Sequence, residues 1–301
     1  MKAVWSFWTK PYYAGRRASW YSEWHHWLAW GLSVYTSRQH YPETCLVTDD
    51  EGARILVDDL QLPFEHVSTA LNELADQNPD WWCLGKIEAY RQQQDPFVHL
   101  DADVFLWKPL SPEVEEADVF TQNPVPIVPG ASLYRPEEFE RAIGHPADGW
   151  LPKEWLWYRR SAHQHAQCCG VFGGTHMDFI NHYARSVLRL VSDPANRDAL
   201  EMLPSKADHM FLIEEFMLTA WVTYHQKHKR SPYHGIEIRH LFPTLEDAYR
   251  PEYTTAAGFT HLAGGAKRHA RTSRHLELRV QQDLPRYYER CTNYSLSPAR
   301  R

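Results

Sequence analysis

The sequence predicts an α/β fold, in which one domain holds a mostly parallel central β-sheet flanked by helices and carries an irregular insert. Short apolar segments alternate with stretches of helical periodicity through the first hundred residues, the pattern of βαβ units that build parallel sheets. A further apolar segment, Phe97 to Leu100, ends in two carboxylates separated by one residue. No internal repeat or linker divides the 301 residues, so one domain is the simplest account.

The elements of the first half follow from the spacing of apolar residues. The first strand is predicted at Lys2 to Trp8, followed by a loop at Thr9 to Tyr13. Trp20, Trp24 and Trp27 recur at helical spacing and are interpreted as core residues. Ser19 is a candidate cap, and the helix must end before Pro42. The other predicted elements are strands at 44–48, 64–67 and 97–100 and helices at 53–62 and 84–93.

The second half is less regular. Residues 123–165 are rich in Pro, Gly, Trp and His and show little periodicity, so an irregular insert is expected there. The predicted elements are strands at 117–122, 167–173, 236–242 and 258–261 and helices at 176–192, 207–227 and 276–288. We place the domain at residues 1–292, with a tail at 293–301.

Composition excludes several classes of protein. The formal net charge of −6 gives no basic surface for nucleic acid, and no apolar run approaches the 18 residues of a membrane span. The five cysteines are odd in number and form no Cys-x-x-Cys pattern, which indicates reduced thiols. Residues 1–35 lack the pattern of a signal peptide, so a cytoplasmic protein is expected.

Asp101 and Asp103 follow the buried strand at 97–100. Such a strand delivers both carboxylates to the C-terminal edge of the sheet, where open α/β sheets bind ligands. Two carboxylates this close repel each other unless a cation lies between them, and hard oxygen ligands suit Mg²⁺ or Mn²⁺. The alternative is an acidic turn after a strand, since Asp-x-Asp is a common sequence.

A second informative segment runs from His261 to Lys267 and contains Gly264 and Gly265. Imidazole beside two carboxylates is a reasonable ligand set for Mn²⁺. Glycines let a backbone approach phosphate closely, and the lysine can neutralise a phosphate oxygen. The alternative is a glycine-rich turn with a solvated lysine.

Taken together, Asp101-x-Asp103 and His261-x-x-Gly264-x-x-Lys267 resemble the motifs of metal-dependent GT-A glycosyltransferases, with the closest likeness to the glycogenin and lipopolysaccharide galactosyltransferase group. The resemblance implies a GT-A-like domain. It implies that the two aspartates and the histidine hold Mn²⁺ (or Mg²⁺) on the diphosphate of a nucleotide sugar. It also implies that the Gly264 segment and Lys267 bind that diphosphate.

The resemblance extends to other positions by their order along the chain. Thr9 and Tyr12 match the segment that holds the nucleotide base, and Lys86 falls where the family places a donor-contacting lysine. Glu214 and Glu215 replace the family's Asp-Gln pair, which implies catalytic side chains near the donor sugar. The alternative for these two glutamates is a solvated helix face.

The implied function is transfer of a sugar from a nucleotide-diphosphate sugar, with a UDP-sugar favoured, to an unidentified acceptor with retention of configuration. The insert is where the acceptor is expected. Two alternatives stay open. A nucleotidyltransferase would use a similar acidic pair, although no glycine-rich basic loop follows the first strand. A non-catalytic carbohydrate-binding protein on a degenerate glycosyltransferase fold would explain the 13 tryptophans and the cysteines at 168 and 169, where the family has Asn and a small residue. A glycoside hydrolase is excluded, because its two carboxylates lie farther apart, on different elements.

Overall fold

The computed structural model describes residues 1–128, 130, 133–144, 149–203 and 205–296. Nine strands occur in this part of the chain: β1 (Lys2–Phe7), β2 (Thr44–Thr48), β3 (His66–Ser68), β4 (Phe97–Leu100), β5 (Val104–Leu106), β6 (Val119–Pro126), β7 (His165–Gly174), β8 (Ile238–His240) and β9 (Phe259–His261).

Helices connect and cover these strands. They are α1 (Thr9–Ala14), α2 (Glu23–Arg38), α3 (Asp50–Ala53), α4 (Leu84–Arg91), α5 (Pro112–Glu115), α6 (Pro136–Ile143), α7 (Lys153–Tyr158), α8 (Met177–Ser192), α9 (Pro194–Glu201), α10 (Lys206–Phe211), α11 (Met217–Lys227), α12 (Pro251–Ala257), α13 (Ala270–Asp283) and α14 (Pro285–Leu296). No helix of the described residues is both long and apolar enough to cross a membrane.

Seven strands form the central sheet in the order β3–β2–β1–β4–β7–β6–β8. Within the described residues, four of its six pairings are parallel; β7 is the exception, antiparallel to β4 and to β6. The predicted α/β fold class is therefore confirmed, since a mostly parallel central sheet is flanked by helices. A separate two-stranded sheet pairs β5 with β9 in antiparallel register, Val104 opposite His261.

Two apolar cores lie on the two faces of the central sheet. Side chains of β1 alternate between them, since Val4 packs in one core and Trp5 in the other. The core with Val4 is completed by α4, α8 and α11, and the core with Trp5 by α2, α13 and α14. Trp27 on α2 is buried, which confirms its interpretation as a core residue, whereas Trp24 is only partly buried at the edge of the same core.

The segment that joins β1 to α2 differs from its prediction. Thr9 to Tyr13 was expected to be a loop but lies in the short helix α1, and a 3₁₀ turn, Arg16–Ser19, follows it. Ser19 is not the cap of α2, because the helix begins at Glu23 after Ser22. The segment after β1 is therefore helical and not an extended loop.

The second half also corrects the predicted boundaries. The region 123–165 is only partly irregular: its ends belong to β6 and β7, and α6 and α7 lie inside it. The helix predicted at 276–288 is two helices, because Pro285 starts a new one where its missing N–H costs nothing. Residues 293–296, expected in the tail, belong to α14, and 297–301 lie outside the described residues.

Candidate functional site

A cavity of about 540 Å³, called here the edge cavity, opens where β1 and β4 end. Ser6 and Trp8 line it from β1 and the residue after it, while Asp101 and Asp103 reach it from the turn after β4. Adjacent parallel strands end at the same edge of a sheet, which is why these distant segments meet. The edge cavity contains almost all of the side chains that the sequence singled out.

Asp101, Asp103 and His261 lie together in the edge cavity. Each offers one ligand atom, and the three atoms lie within 4.8 Å of one another. The pairing of β5 with β9 brings His261 to the aspartates, and the Leu262 amide fixes this register by donating to the Asp103 carbonyl over 2.9 Å. Two carboxylate oxygens and one imidazole nitrogen fit a divalent cation such as Mn²⁺.

Asp103 is buried and strongly polarised by its neighbours. Its carboxylate forms an ion pair with Lys267, and one of its oxygens lies 3.5 Å from Nε2 of His261. Burial raises the pKa of Asp103, but the charge of Lys267 and the contact with His261 outweigh it and hold the pKa below its ordinary value. Asp103 is therefore ionised near neutral pH, paired with Lys267.

His261 is oriented by a residue that the sequence did not reveal. Its Nδ1 donates to Oε1 of Gln122 over 2.7 Å, and Gln122 is almost fully buried on β6. The ring lies directly on Gly170 of β7, where a Cβ atom would be 2.5 Å from its Cε1. No local sequence signal marks Gln122, because only the strand order places β6 beside the histidine.

Lys86 connects the aspartates to the glutamates. Its ammonium group lies 3.1 Å from Asp101 and 2.9 Å from Glu214, and it donates to the carbonyl oxygen of Cys169 over 2.9 Å. Burial lowers the pKa of Lys86. The charges of Asp101 and Glu214 raise it by more than burial lowers it, so the pKa of Lys86 lies well above its ordinary value. Lys86 therefore remains a cation although it is buried.

Glu214 and Glu215 lie in a π-helical turn, Leu212–Phe216, between α10 and α11. The wider turn places both side chains inside, with exposed fractions of 1% and 8%, so the alternative of a solvated helix face is wrong. Glu214 accepts from the Tyr90 hydroxyl over 3.1 Å. The tyrosine at 134 donates to Glu215, and burial together with the charge of Glu214 raises the pKa of Glu215 to about 8.

Of the two residues predicted to bind the nucleotide base, one lines the edge cavity and the other does not. Tyr12 lines the edge cavity, where its ring stacks on His26 and its hydroxyl donates to Glu23 over 2.5 Å. Thr9 is not part of the lining; its amide and hydroxyl both donate to Asp49, over 2.8 and 2.7 Å. Gly264 lines the cavity with φ +55°, a left-handed conformation that suits glycine.

Aromatic residues that the sequence assigned to the core, or did not single out, form much of the cavity wall: Trp8, Trp20, His26, Trp30, Trp82 and Phe211. The guanidinium carbon of Arg16, another residue without a predicted role, lies 4.1 Å from the centre of the Trp82 ring. Flat apolar faces next to charged groups suit a ligand that combines rings with anionic oxygens.

Comparison with known proteins identifies a family and, among solved structures, a weak likeness. A solved structure of the galactosyltransferase LgtC in complex with donor and acceptor sugar analogues covers 100% of this chain and 98% of its own, at 11% identity and a TM-score of 0.42. That likeness is too low to carry a function to this chain. No curated protein matches the sequence. The model described as "Family of unknown function (DUF6734)" matches residues 1–294, and the chain therefore belongs to the DUF6734 family.

Proposed function

We propose that this protein is a glycosyltransferase that moves a sugar from a nucleotide-diphosphate sugar, with a UDP-sugar favoured, to an acceptor. The observation that carries the proposal is a cluster of three possible metal ligands: one ligand atom each of Asp101, Asp103 and His261 lie within 4.8 Å of one another. Lys86 pairs with the first aspartate and Lys267 with the second. Three separate segments of the chain converge to form this group. The aspartates, the histidine and Lys267 belong to the two sequence motifs that resemble those of GT-A glycosyltransferases.

In this proposal Asp101, Asp103 and His261 hold Mn²⁺ or Mg²⁺. When bound, the cation offsets the negative charge that develops on the leaving diphosphate. Lys267, which pairs with Asp103, would also be within reach of a phosphate oxygen and would neutralise its charge. The glycine at 264 lines the cavity with no Cβ atom, so phosphate can approach its backbone closely.

The two glutamates receive different roles. Glu214 stays ion-paired with Lys86 and so positions that lysine beside the donor. Glu215 lines the cavity, and with a pKa of about 8 its carboxyl group holds a proton near neutral pH. It therefore donates a hydrogen bond to a sugar hydroxyl and orients it for transfer. Retention of anomeric configuration is part of the proposal.

One observation favours a second candidate function. The aromatic wall would also suit a carbohydrate-binding protein that performs no chemistry. Such a protein has no use for three metal ligands and two lysines in the same cavity, which supports the transferase instead. A nucleotidyltransferase is less favoured, because helix α1 follows β1 where a glycine-rich phosphate loop would be needed.

The test is a thermal-shift screen of nucleoside diphosphates with and without Mn²⁺. A ligand that binds the native state raises the unfolding temperature, so UDP with Mn²⁺ should raise it in the wild type and not in Asp103→Ala. Asp76→Ala, which changes an exposed aspartate outside the cavity, should respond as the wild type does. Hydrolysis of the matching nucleotide sugars then identifies the donor sugar. No shift with any diphosphate would contradict the transferase and favour sugar binding alone.

A further inference from the structure

The edge cavity is lined by two lysines that pair with carboxylates and by two arginines, Arg16 and Arg268, that form no ion pair within the described residues. Lys86 pairs with Asp101 and Glu214, and Lys267 pairs with Asp103. Across the described part of the chain, no carboxylate lies within ion-pair distance of Arg16, although this side chain lines the same cavity. A ligand that brings its own negative charge would therefore find Arg16 available.

Trp82 fixes the position of this guanidinium group. The Arg16 guanidinium lies 4.1 Å from the centre of the indole ring, within the range of a cation–π contact. Trp82 is itself held edge-on against Phe211, with ring centres 6.0 Å apart. A guanidinium stacked on a ring keeps its N–H groups free in its own plane, the geometry that binds phosphate oxygens in pairs. Arg268 also lines the cavity, but no described ring holds it.

The backbone keeps Arg16 at the cavity. Gly15, just before it, has φ +148°, a conformation that other residues rarely adopt, and it separates α1 from the 3₁₀ turn that begins with Arg16. After the turn Arg16–Ser19, the Tyr21 amide donates to the Lys267 carbonyl oxygen over 3.0 Å. The segment that carries Arg16 is thereby joined to the segment that carries the diphosphate lysine.

Arg16 also faces the metal ligands. The carboxylates that act on its charge are Asp103 and Asp101. Neither forms an ion pair with it, so Arg16 lies near them without direct contact. A group bound between the aspartates and the Trp82 wall would have Arg16 on one side and Lys267 on the other.

We infer that Arg16, held on Trp82, is a ligand-binding residue that contacts phosphate oxygens of the nucleoside diphosphate. The inference rests on the proposed function and adds a second cation, on a different segment, to the diphosphate site. It goes beyond the resemblance, which assigns no role to this position. Arginine is suited to this role because its planar fork contacts two oxygens at once, whereas lysine acts as a point charge.

The test measures binding of UDP and of uridine in the presence of Mn²⁺ by isothermal titration calorimetry. Arg16→Gln should weaken UDP binding about 10-fold and leave uridine binding unchanged, because only UDP carries the charges that Arg16 contacts. Arg16→Lys should recover part of the loss. The matched control is Arg189→Gln, which removes a guanidinium 4.3 Å from the Trp150 ring, outside the edge cavity, and should bind UDP as the wild type does.

The outcomes separate this inference from the proposed function. If the wild type does not bind UDP, the proposed transferase with a UDP-sugar donor fails before any variant is compared. If the wild type binds and Arg16→Gln binds equally well, only the role of Arg16 is overturned. An equal loss of UDP and uridine would also overturn it, because Arg16 would then support the site as a whole and not the phosphates.

Discussion

The side-chain oxygen of Gln122 accepts a hydrogen bond from Nδ1 of His261 over 2.7 Å. This bond directs Nε2, the other ring nitrogen, toward Asp103, whose oxygen lies 3.5 Å away, and a ring that keeps its proton on Nδ1 can offer Nε2 to a bound cation. Partners of this kind orient metal-binding histidines and tune their affinity. Gln122 belongs to the central sheet and His261 to the small sheet, so this bond also ties the two sheets together.

Replacing Gln122 by Leu should therefore weaken Mn²⁺ binding. The loss of the hydrogen bond frees the His261 ring and its tautomer, and we expect affinity to fall about 10- to 100-fold. Titration of Mn²⁺ followed by electron paramagnetic resonance measures this directly. Gln167→Leu is the matched control, since Gln167 bonds to Thr121 and His240 and does not line the cavity. Equal Mn²⁺ affinity in the two variants would contradict the role of Gln122.

Gly170→Ala should displace His261 although it adds a single methyl group. The new Cβ would lie 2.5 Å from the histidine Cε1 and 2.8 Å from the Gln122 oxygen. We expect at least about a 10-fold loss of Mn²⁺ affinity, on the scale of a lost outer-shell partner. Gly265→Ala meets nothing within 4 Å and serves as control. If both variants bind Mn²⁺ like the wild type, the ring has room to move and the packing argument fails.

Lys86→Met should destabilise the fold. The change leaves Asp101 and Glu214 without their shared cation, and Glu214 is almost fully buried. Removal of one partner from a buried ion pair costs about 3–5 kcal/mol of the free energy of unfolding. Urea unfolding measures this loss. Lys10→Met is the comparison, because Lys10 is exposed and donates to two backbone carbonyls. A loss below about 1 kcal/mol, the scale of a surface pair, would show that water screens the charges.

Glu215→Gln should change how stability depends on pH. The pKa of Glu215 is about 8 in the fold, against an ordinary value of 4.5, because burial and the charge of Glu214 disfavour its ionised form. Between these two values the folded state binds more protons than the unfolded chain, so the wild type loses stability as pH rises. The glutamine variant lacks this loss.

The difference in unfolding temperature between variant and wild type should therefore be smallest below pH 5 and reach its maximum above pH 8. Differential scanning calorimetry from pH 5 to pH 9 measures it. Glu113→Gln, at an exposed glutamate, should show no such trend. A difference that stays constant over this range would mean that Glu215 is already ionised at pH 5.

The sequence by itself determined the elements of the sheet and the order of the candidate residues along the chain. Apolar strands are local patterns, so Thr44–Thr48 and the strand before Asp101 were predicted at or near their true positions. The position of Asp101 and Asp103 at a sheet edge follows from the same local pattern. These features depend on residues a few positions apart, and their spacing alone is enough to reveal them.

Contacts between distant segments were decided only by the tertiary structure. The pairing of β5 with β9 brings His261 to Asp103, and strand order brings Gln122 to His261 across 139 positions. A π-helical turn, not the regular helix that the spacing predicted, buries Glu214 and Glu215. The approach of Arg16 to Trp82 depends on a glycine turn after a helix that the sequence did not reveal. The periodicity of the sequence carries no information on such long-range contacts, because they are stabilised by packing and charge pairing that exist only in the folded chain.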